Sequence, residues 1–210
     1  MSQVDVDGFV VSAQNDTLTP EGVTTAVARG IPVNGRHSRS GFTALHWAVR
    51  PKRRNLVVAL LAAGADANVK DKRGRTSAWR GALQSTADIL QLLIDGGGSV
   101  NEPDNFGQTP LIALVRNNCG DAAARLQVLL ACPELDLDAT YYGMACPELH
   151  LDATYYDTTA EKWATKLGYM ELAAAIAQER RRRMRWNGLR STWIAAIAAP
   201  PTFCATPLAL

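Results

Sequence analysis

Histidine and cysteine are scarce in this chain, three and four among 210 residues. Cys119, Cys132, Cys146 and Cys204 form no close pairs, so zinc-site spacing is excluded and reduced thiols are expected. Long apolar runs are missing too: none reaches the roughly 18 residues that span a bilayer. The nearest, Trp193 to Leu210, is broken by Pro200, Pro201 and Pro207. The opening MSQVDVDGF is acidic and alternates in polarity, unlike a secretory signal. A cytoplasmic protein without membrane contact is the expectation. Catalytic signatures are also lacking. Asp95-Gly-Gly-Gly98 has no G-K-[ST] after it, no serine sits in G-x-S-x-G, and no His/Cys or carboxylate cluster has metal spacing. No enzyme activity, cofactor or metal is expected.

What the chain does have is a period. Gly41-Phe-Thr43 returns as Gly74-Arg-Thr76 and as Gly107-Gln-Thr109, 33 residues apart each time. A second marker keeps that register: Gly64-Ala-Asp-Ala-Asn68 recurs as Gly97-Gly-Ser-Val-Asn101. Thr43, Thr76 and Thr109 stand where a hydroxyl accepts from the first free N–H groups of a helix, and Pro110 suits the first helical position. Gly41, Gly74 and Gly107 suit a turn with positive φ. The spacing predicts a short helix over 43–50 and a second over 55–63, stopped at Gly64 as at Gly97. Asn68 to Gly74 reads as a polar hairpin.

These residues resemble the ankyrin repeat, whose pattern runs roughly D-x-x-G-x-T-P-L-H-x-A, then a second helix, then G-A-D-V-N. The resemblance implies an all-α solenoid of about five helix-turn-helix units joined by β-hairpin loops. Its core covers 38–132. Residues 1–37 form a degenerate capping repeat in which Pro20 to Gly30 is the second helix. Residues 133–158 are an inter-repeat hairpin or loop, 159–180 a degenerate last repeat, and 181–210 a basic then apolar tail, disordered or folded back as a cap. Within 133–158, Ala145 to Tyr156 copies Ala131 to Tyr142 with one difference, Asp136 against His150. Such a 14-residue duplication is too short for a further repeat and should bulge from the hairpin.

The pattern also answers for His46 in Thr43-Ala-Leu-His-Trp-Ala48. Its counterparts are Trp79, Ile112 and Lys162, none able to share a reaction, so a hydrogen-bonded structural histidine is expected. Gly81 replaces an expected alanine, a loss of about 1 kcal/mol in helix propensity.

Solenoid units touch only their neighbours and leave an extended concave face, where the resemblance places partners. Carried over by register, the contact residues are Arg39, Phe42, Arg50, Lys72, Arg73, Arg75, Asn105, Phe106, Gln108 and Arg116. Net charge is only +2, yet residues 36–80 hold eleven Lys or Arg against Asp66 and Asp71, while 133–161 hold seven acidic residues and no Lys or Arg. The expected function is a monomeric protein-interaction scaffold or adaptor whose basic face takes an acidic protein partner, with Phe42 and Phe106 as anchors. Arg180 to Arg183 raises the alternative of a nucleic-acid-associated, nuclear protein, or else of cations suited to a helix end.

Overall fold

The computed structural model describes residues 2–117, 121–141 and 158–198. Within them, helices follow one another as five pairs: α1 (Gln3–Gln14) and α2 (Pro20–Ala28), α3 (Ala44–Ala48) and α4 (Arg54–Ala62), α5 (Ser77–Gln84) and α6 (Ala87–Asp95), α7 (Pro110–Asn117) and α8 (Ala122–Ala131), α9 (Ala160–Lys166) and α10 (Met170–Ala198). First helices stack in one layer, α1 on α3, α3 on α5, α5 on α7 and α7 on α9. Second helices stack in another, from α2 through α4, α6 and α8 to α10.

The boundaries follow from local chemistry. The Oγ1 atoms of Thr43, Thr76 and Thr109 accept from the N–H groups of His46 (3.4 Å), Trp79 (3.0 Å) and Ile112 (3.4 Å). Each satisfies an orphan donor of a first helix. The second helices stop where Gly30, Gly64 and Gly97 turn at φ of 82°, 84° and 84°.

The apolar stripes make two clusters that meet at α6. Ile89 and Leu93 join Leu45, Val57 and Leu60 on the N-terminal side. Leu90 faces Leu111, Leu126, Leu129, Trp163 and Ile176 on the other. Each fully buried leucine contributes about 2 kcal/mol, so α6 couples the two halves of the array.

Several sequence expectations shift. Residues 3–14 are helical: Val6, Phe9, Val10 and Ala13 are buried at helical spacing, and the N–H of the capping Ser2 donates to Asp5 Oδ2 at 3.1 Å. Alternation of polarity over the first residues masked that period. Among the described residues, strand pairing is confined to β1 (Thr140–Tyr141) against β2 (Thr158–Thr159), antiparallel with Thr140 opposite Thr159. The other fingers are tight turns, closed by Asp71 N–H to Arg75 O (2.9 Å) and Asp104 N–H to Gln108 O (3.0 Å), too short for a ladder. The expected boundary at 180/181 falls inside α10, which runs unbroken to Ala198. Gly81 is buried, and a methyl there would sit 2.9 Å from Leu93 Cδ1 and 3.3 Å from Leu90 Cδ1, so α6 occupies the room an alanine would need. The duplicated copy at 145–156, the inserted loop around Cys119 and the chain after Ala198 lie outside the described residues.

Candidate interaction face

The finger tips are fixed by buried aspartates. Asp71 Oδ1 accepts from the N–H groups of Arg73 (2.7 Å) and Arg75 (2.9 Å). One unit later, Asp104 Oδ1 accepts from Phe106 (3.0 Å) and Gln108 (2.9 Å). Neighbouring tips are tied together: Lys72 N–H donates to Ser40 O at 3.3 Å, Asn105 N–H to Arg73 O at 2.9 Å, and Asn105 Nδ2 to Lys72 O at 3.0 Å. With its backbone held this way, each tip turns its remaining side chains outward. Arg39, Lys72, Arg73 and Phe106 are exposed.

His46 is the peg between tip and helix. Its Nε2 lies 3.0 Å from Arg75 O, which can only accept, and its Nδ1 receives the Thr43 N–H at 3.1 Å. The proton therefore sits on Nε2, and Thr43 Oγ1, 2.8 Å from Nδ1, donates to that bare nitrogen. Burial drives the imidazole pKa down to about 4, against the Arg75 carbonyl, which opposes the shift. Trp79 repeats the device: its indole N–H donates to Gln108 O at 2.8 Å, so a tryptophan replaces the histidine with one geometry kept. Ile112 has no donor to continue it.

The first helices and tips carry alternating cations and rings. The Arg50 guanidinium lies 4.9 Å from the Trp47 ring centre; Arg80 lies 5.7 Å from Trp47 and 4.6 Å from Phe42; Arg75 lies 6.0 Å from Phe42 and 5.5 Å from Trp79. Phe42 also stacks on His46 (5.5 Å, 7°) and meets Trp47 edge-on (4.9 Å, 70°). The stack arises because the 33-residue spacing sets Phe42 beside Arg75 and Trp47 beside Arg80 in adjacent units.

Of the ten residues carried over by register, five line one groove of about 320 Å³: Arg73, Arg75, Phe106, Gln108 and Arg116, together with Trp79 and Leu83. Arg39 borders a separate hollow of about 420 Å³ beside His37 and Trp47. Phe106 is 53% exposed. Others are committed inside the protein. Arg75 pairs with Asp71 through Nε (3.0 Å) and a terminal nitrogen (2.9 Å), Phe42 is half-buried in the stack, Arg50 bonds Gln14 O at 3.4 Å, and Asn105 ties two tips. Trp47, Trp79 and Arg80 join the face without having been singled out from the sequence. Comparing equal slots at the 33-residue spacing is the signal that would have found them.

Much of the basic excess is also used internally. Arg53 reaches Asp16 and Ala13 O, Arg54 pairs with Asp88 (3.6 Å), and Lys70 with Glu102 (2.6 Å). Among the described residues, Arg39, Lys52, Lys72 and Arg73 enter no ion pair. The arginine run lies mid-helix in α10, so it does not mark a helix end. Arg183 instead donates to the carbonyls of Leu130 (3.2 Å), Cys132 (2.8 Å) and Leu135 (2.6 Å), which satisfies the C-terminus of α8. Arg180 pairs with Asp138 and, at 3.3 Å, with Glu161.

Five successive helix pairs stacked in two layers, with pinned tips, define a repeat-built helical array. The family model described as ankyrin repeats (3 copies) matches residues 52–141. The chain is 32% identical over 103 residues to the Neurogenic locus Notch protein of Drosophila melanogaster, covering 49% of this chain and 4% of that one. It is 35% identical over 97 residues to the Neurogenic locus notch homolog protein 2 of Homo sapiens, covering 45% and 4%. The chain thus spans only a small part of the length of these relatives. Among the described residues, no helix is long and apolar enough to cross a membrane.

Proposed function

We propose that this chain is an interaction module whose concave face takes an acidic protein segment, and that its chemistry is binding rather than catalysis. The observation that carries this reading is the groove between two adjacent tips. It combines an exposed apolar ring, Phe106, with Arg73 and Arg116 on its walls, and Lys72 stands exposed on the same tip. Such a groove suits an extended acidic segment with an apolar side chain for Phe106. A nucleic-acid partner draws less support, since Arg180 and Arg183 are engaged in holding α10 to α8 and α9.

The test is affinity capture with wild type and Lys72→Glu/Arg73→Glu side by side, with and without nuclease. Arg75 is left unchanged because it holds the buried Asp71. Protein partners retained after nuclease and lost on reversal support the reading; partners that vanish with nuclease speak for the alternative.

A further inference from the structure

Arg80 stands out among the cations of this face because its charge sits against aromatic rings with no ion-pair partner among the described residues. It reaches from α5 over the rings of Phe42 and Trp47, and its Nε donates to His46 O at 3.2 Å. The nearest carboxylate of its own unit, Asp71, is held by Arg75. Arg50 and Arg75 flank the same rings, so three guanidiniums share one aromatic stack. Burial, reinforced by Arg75 and Arg50, pushes the Arg80 pKa down to about 10. A guanidinium in this position is unfavourable for the free protein. A planar carboxylate matches its fork in two parallel hydrogen bonds and meets a ring-lined, poorly hydrated floor.

We infer that Arg80, lying against the paired rings of Phe42 and Trp47, is the principal anion-recognition residue of the concave face and receives an Asp or Glu carboxylate of the acidic partner. This rests on the interaction reading above and adds its central contact. The exposed cations of the tips steer the segment in; Arg80 supplies the desolvated, geometrically demanding bond that fixes its register. A protein carboxylate is favoured over a nucleic-acid backbone because, of the three guanidiniums on this stack, Arg75 is paired with Asp71 and Arg50 with Asp16, which leaves Arg80 as a single receptive fork. A phosphate chain needs a track of several accessible cations.

The experiment uses the full chain and two probes: a fluorescein-labelled peptide rich in Asp and Glu with one Phe, and a single-stranded oligonucleotide of similar length. Affinities are compared for wild type, Arg80→Gln, Arg80→Lys and Lys72→Glu/Arg73→Glu, with thermal melts of each. The expected result is a loss of about tenfold or more in peptide affinity for Arg80→Gln, a smaller loss for Arg80→Lys, and a melting temperature for Arg80→Gln no lower than wild type. Should Arg80→Gln fail to fold, Arg80→Lys carries the test, since it keeps the charge and removes the fork. Peptide affinity unchanged by both Arg80 substitutions but lost on tip reversal overturns the inference and leaves the interaction reading standing. Absence of peptide binding to wild type, or tighter binding of the oligonucleotide, overturns both.

Discussion

At the scale of single residues, the fold rests on donors and acceptors whose roles are forced. His46 must be neutral, because one ring nitrogen donates to Arg75 O while the other accepts from Thr43 N–H. Its folded pKa of about 4 lies below the ordinary 6.5. The unfolded chain therefore binds the extra proton first, and stability is present above pH 6.5 and lost as pH falls toward 4. The amount is on the order of 3 kcal/mol. Urea midpoints across that window should fall for wild type and lose much of this slope in His46→Gln; equal slopes would contradict the assignment. Trp79→Phe should cost about 1–2 kcal/mol, since it leaves Gln108 O without its indole donor; an unchanged melting curve would show the bond to be dispensable. Gly74→Ala should cost more than the usual helix or loop change. A Cβ there would lie 2.8 Å from the Asn105 backbone nitrogen, at φ 76°.

At the scale of elements, three of the four joints between successive helix pairs carry an asparagine clasp. Asn34 Nδ2 donates to Gly64 O (3.1 Å) and its Oδ1 accepts from Asp66 N–H (2.7 Å). Asn68 does the same with Gly97 O and Ser99 N–H, at 2.8 Å and 2.7 Å. Asn101 does so with Glu134 O and Asp136 N–H, at 2.7 Å and 2.9 Å. These residues were visible in the sequence as the end of the repeated Gly64-to-Asn68 pattern, and so were the threonine caps. What was not visible is instructive. The helix α1 was hidden because Val4 and Val6 alternate with Asp5 and Asp7 as a strand would, although Val6, Phe9, Val10 and Ala13 keep the helical period. The arginine run read as a free basic patch because no spacing reveals that Arg183 reaches back some fifty residues to α8. Arg183→Gln should therefore loosen the C-terminal pair specifically. Hydrogen exchange should quicken in α8 and α10 while α3 to α6 keep wild-type protection; uniform acceleration, or none, would show that Arg183 does not dock α10.

At the scale of the whole molecule, stability and recognition both follow from stacking equal units. Contacts run between neighbours, and α6 joins two apolar clusters, so the array holds together through nearest-neighbour interfaces. The same register that aligns the helices also aligns Phe42 with Arg75 and Trp47 with Arg80, and so builds a cation-and-ring face out of isolated residues. The sequence period foretold the stacked helix pairs. It did not distinguish cations spent on Asp16 and Asp88 from those left at the tips, because those pairing partners lie one unit away. The most direct measurement of the central claim is the affinity of the acidic, Phe-containing peptide for wild type and Lys72→Glu/Arg73→Glu between about 50 mM and about 300 mM salt. The account predicts binding that weakens steeply with salt in wild type and is at least about tenfold weaker, with a flattened salt dependence, after reversal. Equal affinity and equal salt dependence in the two proteins would contradict it.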